Sequence, residues 1–394
     1  MTFEVYATRY DSAGIIAHLI PARSLVFSMP LSAHGEASFS ATVEPGRSSW
    51  RSSLSGPRSG ILIAETQANG TAVPLWAGRL KSEQEQGARS FGFTCAEWGS
   101  AFSWFPSPVG TWDTLDTDTY IDIVNRVQAV PGQNLAIDTS GNTPGAGRTR
   151  LEVATSDAKT AEQALADVGQ AYGGPEWYYT VGGRLDAPRR QLVLGDQLGL
   201  RVPTTVLEFV EDTAERRTNP APPQLTLLSS LFPGEGPQAV PARRGGNVIE
   251  CRRTQDSDAA CTVVVAVGGG AEGSQIRATA VAQTLIDQGW PRITRTVSFP
   301  EVYDLNVLQA KANAELQSSA GMLTGYSLVT QGSAPDWRVV PRGSMIRAEL
   351  DTDVYAGRRP YQAVTRVQNI TVAVPDDGGK EQVRWDIAEI LEVN

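Results

Sequence analysis

The sequence predicts a β-rich α+β protein in which two β-barrel domains flank an α+β domain. The region before about residue 105 carries roughly six to eight short runs that alternate apolar and polar residues, with turn residues between them. Helical spacing of apolar residues replaces this alternation between residues 112 and 172. The alternation returns after residue 247 and ends in a long hairpin.

The closing hairpin, residues 361–393, gives the clearest strand signal. Its arms surround the turn sequence Pro375-Asp376-Asp377-Gly378-Gly379, and a period of two gives each arm one buried face. A long hairpin needs a further sheet to be stable, so we expect it to close the second barrel. The apolar residues that share a phase are Ile370, Val372 and Val374 on the first arm and Val383, Trp385, Ile387, Leu391 and Val393 on the second.

Length, charge and cysteine content restrict the number of domains and the class of protein. The 394 residues are enough for two to four domains, and the net charge of -9 disfavours a general nucleic-acid-binding surface. The first residues already have a strand pattern, so we expect no signal peptide, and no apolar run is long enough to span a membrane. The three cysteines are expected to be buried thiols of a protein made in a reducing compartment.

The first predicted domain, residues 1–107, is the N-terminal barrel. Asn69-Gly70 is a strong hairpin signal between two of its strands. The loop from Glu44 to Gly60 concentrates arginine and tryptophan, which dominate many protein interfaces. It could be a docking loop, or the tryptophan could instead cap the barrel end while the arginines are solvated. The interface candidates are Arg47, Trp50, Arg51 and Arg58.

The second predicted domain, residues 108–212, is the α+β unit. Its first helix begins after Asp113 and Asp116, with Asp118 as the expected N-cap. A second helix runs from about Thr160 to Tyr172, and Thr160-x-x-Gln163 matches a capping box. Two strands then flank Gly182-Gly183-Arg184.

The remainder is predicted as a Pro/Gly-rich arm or linker, residues 213–246, and a second barrel domain, residues 247–394. That domain is expected to open with a hairpin on which Cys251 and Cys261 could face each other. Whether they form a disulfide is left open. A helix at about 304–318 is capped by Asp304.

Sequence motifs that would indicate a cofactor, a metal site or a catalytic site are weak. Gly268-x-Gly270-x-x-Gly273 follows an apolar strand, but no helical stripe follows it, so a dinucleotide site is not expected. The two histidines, His18 and His34, lie in the N-terminal part and have no ligand spacing. Nothing marks a pair of carboxylates for hydrolysis. We therefore expect no enzymatic activity, no catalytic residue, no cofactor and no metal.

Several stretches resemble the tail-hub and minor tail proteins of long-tailed bacteriophages, most closely those of phages of actinobacteria. The early hairpin with Trp76-Ala77-Gly78-Arg79 is similar to the family's, as are the helix, glycine pair and aromatic strand of residues 160–179. Residues 304–317 and 364–379 resemble its late helix and closing hairpin. The order of these parts, rather than any one motif, carries the resemblance.

The resemblance implies a structural virion protein of siphovirus type at the tail tip, assembled in the host cytoplasm without stable membrane insertion. Two barrels per subunit would alternate in a homotrimer and form a pseudo-sixfold ring. This baseplate hub would close the tail tube and bind the distal tail protein, the tape-measure end and other tail-tip proteins. Viral DNA would only pass through it.

Two other functions stay open at this point. A tail-associated cell-wall hydrolase would need a cleft with paired carboxylates or a metal. A receptor- or carbohydrate-binding module would need an exposed aromatic platform, for which Trp177-Tyr178-Tyr179 is the nearest candidate. We expect these three aromatic residues to alternate between core and interface instead.

Overall fold

The structure is a computed structural model of the whole chain. The residues it describes are 2–43, 49–54, 56–87, 89–142, 144–145, 147–169, 174–203, 205–210, 247–256, 260–270, 274–299, 302–319, 323–332, 335–351, 361–376 and 379–390.

The N-terminal half is an antiparallel sheet with one short helix. Its strands lie in the order β2-β1-β5-β6-β7-β4-β3. The predicted Asn-Gly turn joins β5 to β6, and Gly70 takes a φ of 78°, which only glycine adopts easily. The elements are β1 Thr2–Arg9, β2 Ile15–Ile20, β3 Ala22–Pro30, β4 Glu36–Thr42, α1 Ser49–Ser53, β5 Ser59–Thr66, β6 Ala72–Gly87 and β7 Ser90–Glu97.

The middle unit packs two helices against short sheets and has its own core. Its elements are β8 Gly110–Leu115, α2 Asp116–Gln128, β9 Ile137–Asp138, β10 Arg148–Val153, α3 Ala161–Gly169, β11 Glu176–Arg184 and β12 Ala187–Gly195.

Helix caps decide where these two helices begin. The expected capping box is present, because Thr160 N donates to Gln163 Oε1 and Gln163 N donates to Thr160 Oγ1. The expected cap at Asp118 is wrong: α2 begins at Asp116 after Leu115, so Asp118 lies in the first turn, where its charge favours the helix dipole.

The C-terminal half forms a second set of strands, into which a small α/β unit is inserted. Its strand order is β13-β19-β20-β21-β18-β14. In the inserted unit β15 pairs with β16 and β17, and α5 covers one face of them. The elements are β13 Thr205–Val210, β14 Val248–Asp256, β15 Val263–Gly268, β16 Arg277–Val281, α4 Gln283–Asp287, β17 Thr294–Phe299, α5 Leu305–Ser319, β18 Leu323–Gln331, β19 Met345–Asp351, β20 Tyr361–Val374 and β21 Gln382–Ile390.

Two local predictions for the C-terminal half can be compared with the structure. The Asp304 side chain accepts hydrogen bonds from Asn306 N and Val307 N, so it caps α5 as expected. The expected hairpin between residues 247–256 and 261–270 is wrong, because β14 pairs with β18 while β15 belongs to the inserted sheet. Cys251 and Cys261 are accordingly both free thiols.

The two halves are joined through the closing hairpin. One part of β20 pairs with β19, and the following part pairs with β3, from Asn369 opposite Pro30 to Val374 opposite Leu25. The result is a single 13-stranded sheet whose two halves share one hydrophobic core. The closing hairpin therefore completes both halves, rather than the second alone.

Two closed barrels are not confirmed. Among the described strands the ladder is an open path from β2 to β14. In the C-terminal half, no described ladder joins β13 to β14, but the side chain of Asn247 connects them. Its amide donates to Val206 O and accepts from Glu208 N, as a neighbouring strand would do. The architecture supported by the structure is a β-rich α+β fold.

The halves repeat one topology. If β2 is set aside, the path β1-β5-β6-β7-β4-β3 corresponds strand for strand, in chain order, to β13-β19-β20-β21-β18-β14. One ladder differs in direction, because β1 and β5 are antiparallel whereas β13 and β19 are parallel. The chain thus contains two similar sheet units held side by side by the pairing of β3 with β20.

Candidate functional site

The described residues contain no group of three or more His, Cys, Asp and Glu side chains that could hold a metal ion. No helix among them is long and apolar enough to cross a membrane. The described surface instead carries features that can serve assembly. Two kinds stand out: buried arginines that join the parts of the chain, and strand edges that lack a partner.

A buried ion pair joins the N-terminal and C-terminal halves. Arg342 Nη2 donates to Glu97 Oε1 at 3.0 Å, and Gly35 N donates to the other carboxylate oxygen at 2.9 Å. Glu97 is 2% exposed, and burial raises the pKa of its carboxyl above the usual value even though Arg342 opposes the shift. This pair fixes the turn that precedes β19 against the end of β7.

Two further arginines bind carboxylates across the fold. Arg338 makes a bidentate contact of 2.6 Å and 2.6 Å with Glu65 on β5, and it also binds Glu381 at 3.0 Å. Burial opposes the charge of Arg338, but its hydrogen bonds to these carboxylates raise its pKa overall. Arg366 on β20 binds Glu176 at the start of β11 in the same two-pronged manner.

Arg190 joins the middle unit to the N-terminal half through backbone carbonyls. Its guanidinium donates to the carbonyls of Tyr10, Ser12 and Leu135 and lies 3.9 Å from the ring centre of Trp98. Burial lowers the pKa of this arginine. Together with the ion pairs, Arg190 holds the middle unit and both sheet units in one fixed arrangement.

His34 also lies at a joint. Its ring contacts those of Trp177 and Tyr179, and its Nε2 lies 3.2 Å from Glu162 Oε1 on α3. The hydrogen bond to His34 lowers the pKa of Glu162 although burial opposes it. The histidine thus connects the N-terminal half to the middle unit. The side chain of His18 lies outside the described residues.

The candidate carbohydrate platform does not present its rings together. Tyr179 is buried at 5% exposure, Trp177 packs against His34 and Tyr120, and the Arg342 guanidinium covers Tyr178 at 4.9 Å. The three rings thus pack against other parts of the same chain, and their expected alternation between core and interface stays a prediction.

The four interface candidates occupy different environments. Trp50 is 2% exposed and packs edge-on against Phe93 in the main core. Arg51 is half-buried, forms an ion pair with Glu83 and lies over the ring of Phe91. Arg58 is exposed. Arg47 lies outside the described residues. Helix α1 thus lies against the β6–β7 hairpin, with the tryptophan facing inward.

The far end of β6 is an unusual surface. From Ala72 to Leu80 its residues alternate between buried and half-buried, but every residue from Lys81 to Gly87 is exposed. On one side this segment pairs with β7; on the other, β5 reaches only as far as Arg79. The segment was not singled out from the sequence, where its signal is a strand that becomes wholly polar, Ser82-Glu83-Gln84-Glu85-Gln86.

A second open edge lies on β14. One side of this strand pairs with β18 over its whole length. On the other side, the Asn247 bridge connects its beginning to β13, and no described strand pairs with it from Cys251 to Asp256. Unpaired edges are positions where sheets of different molecules join.

Comparison with known proteins agrees with this architecture. No model of a protein family matches the sequence, and no curated protein matches it. The tail protein from Neisseria meningitidis MC58 has a similar structure, with a TM-score of 0.55 and 15% identity over 99% of this chain and 97% of that one. The 43 kDa tail protein of prophage MuSo2 from Shewanella oneidensis gives a TM-score of 0.56 and 10% identity over 98% and 97%. The chain therefore has the fold of these phage tail proteins.

Proposed function

We propose that this chain is the structural hub at the tail tip of a long-tailed phage of the siphovirus type, and that it acts as a homotrimer without enzymatic activity. The observation that carries the proposal is the repeated topology of the two halves. Three copies would supply six similar sheet units, which matches a sixfold tail tube on one side and a threefold tip on the other.

The proposed hub closes the tail tube and opens for DNA. It joins the distal tail protein to the tip and receives the end of the tape-measure protein, with other tail-tip proteins below it. The net charge of -9 supports a conduit role, since an acidic wall does not retain DNA phosphates. Residues 1–107 and 247–394 would supply the ring, residues 108–212 the unit outside it and residues 213–246 an arm. The two ring units could close into barrels in the assembly.

The fold comparison supports a tail protein, and the buried arginines support a rigid one. A ring under load from the tube needs its two units fixed relative to each other, and Arg338, Arg342 and Arg366 connect segments far apart in sequence with buried or half-buried charge pairs. Actinobacterial phages remain the source that we propose from the sequence resemblance.

The mass of the purified protein and its position in the virion test this proposal. Native mass spectrometry and light scattering should give a trimer, and electron microscopy of phage tails labelled with an antibody to this chain should place it at the tip. A protein that is monomeric in both measurements and absent from tails would overturn the proposal. Turnover of purified peptidoglycan would overturn its non-enzymatic part.

A further inference from the structure

We propose that β14 of one copy pairs antiparallel with the far end of β6 of the next copy, so that the joint between copies repeats the β20–β3 joint within each copy. The proposal rests on the trimer of the proposed function and names the surfaces that hold it together. It follows from the repeated topology, two open edges and their charges.

The repeat makes β6 the counterpart of β20. Each is the long strand of its unit, and its first part pairs with the preceding strand, β5 or β19. Each then has an irregularity in its ladder, between Leu80 and Ser82 in β6 and between Val367 and Asn369 in β20. The second part of β20 pairs with β3, whereas no described strand pairs with the second part of β6 on the side away from β7.

The repeat likewise makes β14 the counterpart of β3. Strand β3 pairs with β4 on one side and with β20 on the other. Strand β14 pairs with β18, the counterpart of β4, and no described strand pairs with its other edge, which corresponds to the β20 side of β3, from Cys251 to Asp256. The intrachain joint uses one strand of each type. The described parts of β6 and β14 that lack a strand partner on one side are again one strand of each type.

The exposure of the far end of β6 leaves this segment accessible to another chain. Seven consecutive exposed residues in a strand bury no apolar surface, so ordering them gains little within one chain. Bulges and charged residues at an edge discourage indiscriminate pairing. They still admit a strand whose register and charge match.

The ladders give the register. Leu80 lies opposite Cys95 just before the irregularity in β6, as Val367 lies opposite Ile387 just before the irregularity in β20. Counting five residues onward from each, Glu85 is the counterpart of Val372. The next ladder extends the match. Because Cys95 corresponds to Ile387, Ala37, which lies opposite Cys95, corresponds to Tyr326, which lies opposite Ile387.

From these matches, the pair Phe27–Ala37 corresponds to Arg253–Tyr326. Because Val372 lies opposite Phe27 in the intrachain joint, Glu85 lies opposite Arg253 of the neighbouring copy. Gln84 lies opposite Thr254 in the same register.

Charge supports this register. A glutamate directly opposite an arginine stabilises a pair of antiparallel strands, and two like charges there destabilise it. The intrachain joint has an apolar pair, Val372 with Phe27, at the equivalent position. A charged pair suits a joint that must stay soluble until copies meet.

A contact of this kind can close into a ring. Strand β6 and strand β14 are different surfaces, so the contact is head-to-tail, and such contacts close when the rotation fits a whole number of copies. Three copies would alternate three intrachain and three interchain joints, each turning the ring by about 60° if the two joints are equivalent.

A charge exchange tests the pair. In full-length protein, Glu85→Arg and Arg253→Glu should each raise the concentration at which the trimer dissociates by at least about tenfold, since each ring contains three such contacts. The double variant should restore wild-type assembly. Glu152→Arg, on the middle unit, is the control and should leave the trimer unchanged. Near-ultraviolet circular dichroism of each variant distinguishes weakened assembly from misfolding.

Cysteine cross-linking tests the register. Under mild oxidation, Gln84→Cys with Thr254→Cys should give covalent dimers and trimers and nothing larger. Gln84→Cys with Gln255→Cys points the second thiol to the other face and should not cross-link. Wild-type protein measures the background from its own cysteines.

The outcomes separate the two proposals. A wild-type trimer that is unaffected by Glu85→Arg and gives no cross-link at Gln84 and Thr254 would overturn the strand pairing and leave the hub intact. Cross-linking by Gln84→Cys alone would also overturn it, since β6 would then pair with β6. A wild-type monomer in virion extracts would contradict the trimer itself.

Discussion

Arg342 and Glu97 face each other at 3.0 Å, and both are buried although they belong to opposite halves of the chain. Neither residue has another charged partner among the hydrogen bonds of the described side chains. The carboxylate is completed by Gly35 N and the guanidinium by the carbonyl of Pro30. The halves are thus joined by a charge pair as well as by the β3–β20 ladder.

Replacing Arg342 by Met should lower the free energy of unfolding by about 3 kcal/mol, because it leaves a buried carboxylate without its counter-ion. Adding Glu97→Leu should recover most of the loss, since an apolar pair can replace a buried ion pair. Urea denaturation measures both. Arg184→Met, at an exposed ion pair with Asp186, is the matched control and should change stability by less than about 0.5 kcal/mol. Equal losses in the single and double variants would contradict the pairing.

The stability of the wild type relative to Glu97→Gln should rise as the pH falls. Burial raises the pKa of Glu97 in the folded state, so the folded chain binds this proton more tightly than the unfolded chain. The resulting contribution is fully present below the ordinary value of 4.5 and is lost as pH rises through the raised folded pKa. Thermal unfolding of both proteins from pH 4 to pH 7.5 measures the difference. A difference that grows with pH instead would show that Arg342 outweighs burial.

Trp50→Ala should destabilise the isolated chain by about 3–5 kcal/mol, because the indole fills the main core. Arg51→Ala, next to it on α1, should cost less than about 1 kcal/mol, since its ion pair with Glu83 is partly exposed. Thermal unfolding of the two variants decides the role of this helix. If Trp50→Ala left stability unchanged and impaired only assembly, the tryptophan would be a docking residue rather than a core residue.

Trp385→Asp or Ile387→Asp should prevent folding and therefore trimer assembly. Both side chains are buried in the core shared by the halves, and Trp385 Nε1 donates to Thr330 Oγ1 at 3.0 Å. An unpaired charge there costs more than about 4 kcal/mol. Gln382→Asp, exposed on the same strand, is the control and should fold. Circular dichroism and size-exclusion chromatography report both properties, and normal assembly of Trp385→Asp would contradict the shared core.

Signals carried by a few neighbouring residues predicted their elements well. The Asn-Gly turn, the Thr160–Gln163 capping box and the Asp304 cap each depend on contacts within four residues, so the sequence alone contains the whole interaction. The closing hairpin could be predicted for the same reason, because its two arms are adjacent in sequence.

Pairings between distant segments were not predictable in this way. Alternation shows that β14 and β15 are strands, but it does not show that their partners are β18 and the inserted sheet. The same limit applies to Arg190 and Arg342, whose partners lie far away in sequence. For the candidate site, the arginines and tryptophan of the 44–60 loop are visible in the sequence. The polar end of β6 is visible only as a run of polar residues, which does not reveal that one of its edges lacks a strand partner.

The pairing of β3 with β20 has a consequence for synthesis on the ribosome. Strand β3 is made early, and β20, which covers its edge, follows more than 300 residues later. During translation the early sheet would present β3 uncovered to every other nascent chain, and such edges promote aggregation. The first half therefore keeps an uncovered edge until β20 has been made, and shortened chains that lack β20 would be the ones most in need of a chaperone.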